Sequence, residues 1–252
     1  MKRISTSQRA LFVALVIIFC FCYPFAVIGV AFDVKPPFSL DWAGSFLLFL
    51  EGCILLLAAM LCYGPLPALI AGACVIIFSY LVETLGVNTG FPLWELSLYP
   101  CFASRLPGGV PLAVMFAWIL IVFGGYGIVK RRLPVGRGID IGGALLGAML
   151  ATLLDLAIEP VAAHVVFYWR WLAQGPMDYY GVPLMNFVAW FVVAFVLVVV
   201  LYVVLGGINA ERFSLHEQGV WAHVQKMGKV ERLAMLAPLV LFLCSLFYVR
   251  AG

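Results

Sequence analysis

Gly143-Ala-Leu-Leu-Gly-Ala-Met-Leu-Ala-Thr-Leu-Leu-Asp155-Leu-Ala-Ile-Glu159-Pro160 is apolar apart from one threonine and two carboxyl groups. Crossing a bilayer takes about 20 predominantly apolar residues, so this run and its flanks read as a membrane-spanning helix. Residues four apart on a helix share a face, which sets Asp155 and Glu159 one turn above the other. A carboxyl group in hydrocarbon is costly, and an acid inside a span is therefore a functional-site hypothesis by default. Fold and function are read from the same stretch.

Working outward, the whole chain has this character: 65% of its 252 residues are hydrophobic, 11% are charged, and mean hydropathy is +1.12. Seven segments are long and apolar enough to span, at roughly 10–31, 41–62, 65–85, 109–129, 139–162, 182–206 and 232–250. Backbone groups must be satisfied within the segment in lipid, and continuous runs do not suit the short alternating strands of a barrel. The expectation is an all-α polytopic membrane protein with about seven transmembrane helices, forming one domain over residues 1–252. The basic start (Lys2, Arg3, Arg9) ahead of an apolar run superficially suits a cleaved leader, but the run is long enough to span and no small-residue cleavage site stands out. A first membrane helix is expected.

Lysine and arginine set the orientation. With the N-terminus in the cytoplasm, the inner side holds eleven (Lys2, Arg3, Arg9, Lys130, Arg131, Arg132, Arg137, Arg212, Lys226, Lys229, Arg232) and the outer side four (Lys35, Arg105, Arg170, Arg250). The net charge of +3 thus reads as topology and not as a nucleic-acid footprint. Most of the seven cysteines fall within spans, where a free thiol behaves as a small hydrophobe, and no C-x-x-C pattern occurs.

Three connections carry information. The outer one near 86–108, rich in Gly and Pro, reads as a loop or re-entrant segment. The outer one near 163–181 holds Phe167, Tyr168, Trp169, Trp171, Tyr179 and Tyr180, either an interfacial belt or a substrate lining. The inner one near 207–231 mixes Arg212, Phe213, Leu215, Trp221, Lys226 and Lys229 as an interfacial amphipathic helix would. Gly143, Gly147 and Ala151 form a small-residue face suited to close helix packing.

With this topology Glu83 ends the third span, Asp155 and Glu159 occupy the outer third of the fifth, and Asn186 lies a turn below the mouth of the sixth. Four polar residues from three helices thus converge in the outer half of the membrane. The plainer alternative is that they pair with one another or cap helix ends. Glu51, mid-way along the second span, suits either a helix-holding role or a place in the site. Neighbouring buried carboxyls can divide into a neutral acid and an ionised base, which suits proton donation by one and acceptance by another. Three histidines (His164, His216, His223) are too few for a di-iron oxidation centre, and no lysine inside a span offers a retinal Schiff base. No G-x-G-x-x-G or P-loop is present.

Glu83-Thr-Leu-Gly-Val-Asn-Thr-Gly90, Leu98-Tyr99 and Gly109-Val-Pro-Leu112, followed by Asp155-Leu-Ala-Ile-Glu159-Pro160, Trp169-Arg-Trp171 and Tyr179-Tyr-Gly-Val-Pro-Leu-Met-Asn186-Phe-Val-Ala-Trp190, together resemble the membrane hydratases of carotenoid biosynthesis. The likeness covers about 80–190. Glu159 stands where an Asp is usual, Phe91-Pro92-Leu93-Trp94 replaces a Phe-Gly run, and Ala189 replaces a Gly. The resemblance implies addition of water to the terminal 1,2 double bond of an acyclic carotenoid, without metal or redox cofactor. For such a reaction the expected roles are Asp155 or Glu159 as proton donor, Glu83 as first choice for the acceptor of the water's proton, and Asn186 orienting that water. Trp169, Trp171 and Tyr179 are the candidate cation-stabilising faces, with Tyr180, Trp94 and Glu51 as further substrate-binding candidates. The resemblance also implies a lipid-dissolved carotenoid substrate, contact with membrane lipid and other carotenoid-pathway enzymes, and a place in a bacterial inner (cytoplasmic) membrane.

Two other readings stand beside it. A cyclase or prenyl-transfer enzyme would use similar acids, although prenyl transfer calls for a second acidic cluster that the chain lacks. A proton-coupled transporter would use the carboxyls as a relay, but calls for an inverted repeat that is not seen.

Overall fold

The computed structural model describes residues 6–32, 34, 37–92, 96–98, 105–130, 139–164, 168–172 and 178–212. Six helices account for most of them: α1 (Thr6–Ala31), α2 (Asp41–Tyr63), α3 (Pro65–Thr89), α4 (Leu112–Lys130), α5 (Ile141–His164) and α6 (Leu184–Arg212). Each is long and apolar enough to cross a membrane, and the chain is an integral membrane protein of all-α class. The expected seventh span, 232–250, and the amphipathic segment beyond residue 212 lie outside the described residues. Helix α6 itself runs on to Arg212, past the boundary expected near 206.

Local chemistry sets the helix ends. Gly64, at φ 94°, turns the chain between α2 and α3, and Pro65 opens α3, where its missing N–H would have had no partner. Gly90 closes α3 in the left-handed conformation, its N–H bonded to the Gly86 carbonyl. Helix α3 therefore continues beyond the expected end near 85, and Glu83 lies well inside it. The Asp140 carboxylate accepts from the Gly143 N–H at 2.9 Å and caps the start of α5.

Helix α4 is the hub, packing against α2, α3, α5 and α6, while α1 packs on α2. Trp118, Ile119, Leu120 and Val122 of α4 are wholly buried. The small-residue face of α5 lets these helices close up. A Cβ on Gly125 of α4 would meet the Gly147 carbonyl at 3.2 Å, and one on Gly147 would meet Val198 of α6 at 3.3 Å. Ala144, Ala148 and Ala151 fill the rest of that face.

At one end of the bundle the connections form a small roof that the sequence reading did not anticipate. Strand β1 (Leu96–Leu98), between α3 and α4, pairs antiparallel with β2 (Trp169–Trp171), between α5 and α6, with Ser97 opposite Arg170. A second short pair, β3 (Asp178–Tyr179) with β4 (Val182–Pro183), leads into α6. Tyr80 of α3 donates to the Pro107 carbonyl at 2.8 Å and Asn88 to the Gly108 carbonyl at 3.2 Å, tying the α3–α4 connection to the end of α3. The Tyr168 hydroxyl lies so close to Gly44 that any Cβ there would overlap it, which brings the start of α2 to the same end.

Candidate active site

Antiparallel helices bring residues to one level when their distances from the shared end agree. Glu83 is six residues before the end of α3, Trp118 six after the start of α4, and Trp190 six after the start of α6. Each lies roughly 9 Å below the roof at 1.5 Å per residue. Asp155 and Glu159, nine and five residues before the end of α5, bracket that level, and Asn186 lies one helical turn above Trp190 on α6.

The structure brings together Glu83, Asp155, Glu159 and Asn186. All four are buried, with exposures of 9%, 2%, 2% and 1%. The Asn186 Nδ2 donates to Asp155 Oδ2 at 3.3 Å and to Glu159 Oε1 at 3.5 Å. Glu83 is near enough to act electrostatically on both α5 carboxyls. Among the described residues none of the three acids makes an ion pair. The plainer reading, in which Glu83 and Glu159 cap helix ends in the interface, does not fit this burial.

Their hydrogen bonds differ. Glu159 Oε2 accepts from the indole N–H of Trp169 at 3.0 Å and of Trp171 at 3.2 Å, so both its oxygens are engaged. Alternation along β2 makes this possible, since residues 169 and 171 point to one side and exposed Arg170 to the other. Glu83 Oε1 accepts from Trp118 Nε1 at 2.9 Å. Asp155 Oδ1 and Glu83 Oε2 accept no hydrogen bond from any described residue. Among the described residues, two of the three acids thus keep one oxygen each without a donor.

Other expected site residues stand apart. Glu51 of α2 is buried at 5% exposure, yet shares no hydrogen bond with the cluster or with any other described residue. Tyr179 packs edge-on against Phe187 and Tyr180 and shares no hydrogen bond with the acids. Tyr180 is exposed at the bundle end, and its carbonyl lies 2.7 Å from His164 Nε2. Trp94 lies outside the described residues. Trp169 and Trp171, expected to offer their π-faces, each also donate an indole N–H to Glu159, and the Trp169 ring lies beside that of Tyr168. No group of three His, Cys, Asp or Glu side chains among the described residues is arranged to hold a metal ion.

Trp118 was missed altogether and Trp190 was given no role, although the two indoles stack at 4.3 Å between centroids and 19° between planes. A signal was available. A tryptophan deep in a span needs an acceptor for its N–H, and the acid at matching depth was Glu83.

Residues 43–247 match the family described as "Carotenoid biosynthesis protein". The chain belongs to that family. It is also 30% identical over 115 residues to the bisanhydrobacterioruberin hydratase of Haloarcula japonica, a stretch covering 45% of this chain. That match spans 38% of the relative's own length. No solved structure matches the chain.

Proposed function

We propose that the protein is a carotenoid 1,2-hydratase that adds water to the terminal double bond of an acyclic carotenoid end group. Family membership and the hydratase relative support the substrate class. The observation that carries the chemistry is the unequal engagement of the three buried acids: among the described residues both Glu159 oxygens accept N–H donors, whereas Asp155 and Glu83 are each engaged at one oxygen.

In this mechanism Asp155 Oδ1 gives its proton to the less substituted carbon of the terminal alkene, leaving a tertiary cation on its neighbour. Water adds to that cation, and Glu83 Oε2 takes the proton that the water loses. The product is a tertiary alcohol; Asp155 ends ionised and Glu83 protonated, and one proton passes back from Glu83 to Asp155 before the next turnover. Asn186, which donates to Asp155, orients the water. Glu159 is the fixed negative neighbour of the cation and not a proton carrier, because its oxygens already face N–H donors. The mechanism uses no cofactor.

We further propose that residues 1–252 form one helical membrane domain with the N-terminus cytoplasmic, so that the roofed end faces outward. A bacterial cytoplasmic membrane is the setting, and a lipid-dissolved polyene reaches the acids from the side. Expressed in cells that accumulate lycopene or another acyclic carotenoid, the protein is expected to yield products heavier by one water per hydrated end. Products of altered absorption but unchanged mass would indicate cyclisation and overturn the proposal.

A further inference from the structure

Glu83 differs from the α5 acids in being alone on its helix, and what holds it is aromatic. Its Oε1 accepts the Trp118 indole N–H at 2.9 Å, and Trp118, wholly buried, stacks on Trp190 of α6. Asn186 stands on α6 one turn from Trp190. Glu83 on α3 is thus joined through Trp118 on α4 to Trp190, on the same helix as the residue that donates to Asp155 and Glu159. Below Glu83, Ser79 on the same helix turns its hydroxyl away from it, to the Val75 carbonyl at 2.7 Å and to Met115 Sδ at 3.7 Å. Trp118 is the one described hydrogen-bond donor to Glu83.

We propose that Trp118, braced by Trp190, is the positioning residue for Glu83: it occupies Oε1 and leaves Oε2 as the oxygen facing the reaction. A carboxylate in a span can rotate about its last torsions, and a single short charge-assisted bond from a ring that cannot itself move fixes that rotation. The stack supplies the rigidity, since an indole packed face to face at this separation has no room to tilt. The task assigned to Glu83 rests on the hydratase reading, whereas the geometry of the hold does not.

The test is a double-variant cycle on membranes carrying the full chain, with hydration of an acyclic carotenoid as the activity. Trp118→Phe keeps a ring against Trp190 and removes only the donor. It is expected to lower kcat about 10-fold or more, as loss of a hydrogen bond to a charged group does, with KM within about two-fold of wild type. In a Glu83→Gln background the same change is expected to have almost no further effect, because the two residues act as one unit. Equal fold losses in both backgrounds, or an effect on KM alone, would overturn the proposal. A second measurement is independent of activity and of whether Trp118→Phe accumulates. The ultraviolet resonance Raman band that reports indole N–H bonding is expected to move toward weaker bonding in Glu83→Gln. An unmoved band would overturn the hold itself. A wild-type protein that shows the band shift but no hydration would instead refute the hydratase reading and leave the hold standing.

Discussion

Asp155 and Glu159 are the same functional group four residues apart on one helix face, yet their surroundings make them unlike. Two indole N–H groups and the Asn186 amide surround Glu159, while among the described residues Asp155 receives that amide alone, on Oδ2. A buried polar group left without a partner costs about 1–3 kcal/mol, so the engaged acid contributes to structure while the half-engaged one is available for chemistry. Asp155→Asn is accordingly expected to lower hydration by about 10²–10⁴-fold with membrane insertion unchanged, as loss of a general acid does. Product yield per inserted protein, compared by chromatography and quantitative blotting, checks this, and near-normal yield would remove Asp155 as donor. Glu159→Gln turns an amide NH₂ toward N–H donors. It is expected to lower stability by about 1–3 kcal/mol as well as activity, measurable as an earlier thermal transition in detergent. The identity and shared face of these two acids were legible in the sequence because helical spacing is local. Their unequal hydrogen bonding was not, because Trp169 and Trp171 reach Glu159 only when β2 folds back along β1, a pairing between distant loops.

At the scale of the elements, helix approach is decided by glycines, and the cost of filling them differs from site to site. A Cβ on Gly52 of α2 would lie 2.9 Å from Phe116 Cβ and 3.0 Å from the Phe116 carbonyl of α4, so α2 and α4 must separate to admit it. Overpacking of this kind costs about 1–3 kcal/mol, which exceeds the roughly 1 kcal/mol that alanine gains over glycine in a helix. Gly52→Ala is therefore expected to lower the thermal transition, whereas Gly29→Ala in α1, with nothing within 4 Å, is expected to leave it level or raise it. Equal behaviour of the two variants would contradict the packing described for α2 and α4. Five of the six helix starts and ends nearest the roof were read from hydropathy to within a few residues. The end of α3 was not, because Gly86-Val-Asn-Thr looked like loop while in fact it completes the helix and Gly90 terminates it. That error mattered, since it placed Glu83 at a span end when it lies six residues inside the helix.

At the scale of the whole molecule, α3, α4, α5 and α6 surround one level of the bundle with acids and indoles, and the β1–β2 pair closes that level from the nearer end. The excess of Lys and Arg on the opposite side predicts that this roofed end faces away from the cytoplasm. Reporter fusions at the N-terminus and in the α5–α6 connection are expected to read cytoplasmic and external respectively; the reverse pattern would turn the site to the inner leaflet. Composition alone made the membrane class legible, and the depth of the two α5 acids followed from counting along that helix. Nothing local revealed that Trp118 and Trp190 stack beside Glu83, because that contact joins residues 72 positions apart. The central claim is that water adds across a terminal alkene, the proton arriving from Asp155 and the oxygen from solvent. Its most direct test is mass spectrometry of the carotenoid formed by the full chain in ¹⁸O-water and, separately, in deuterium oxide. One ¹⁸O in the new hydroxyl and one deuterium on the adjacent carbon per hydrated end is the predicted result. A product that gains oxygen without solvent label, or that gains no mass at all, would contradict it.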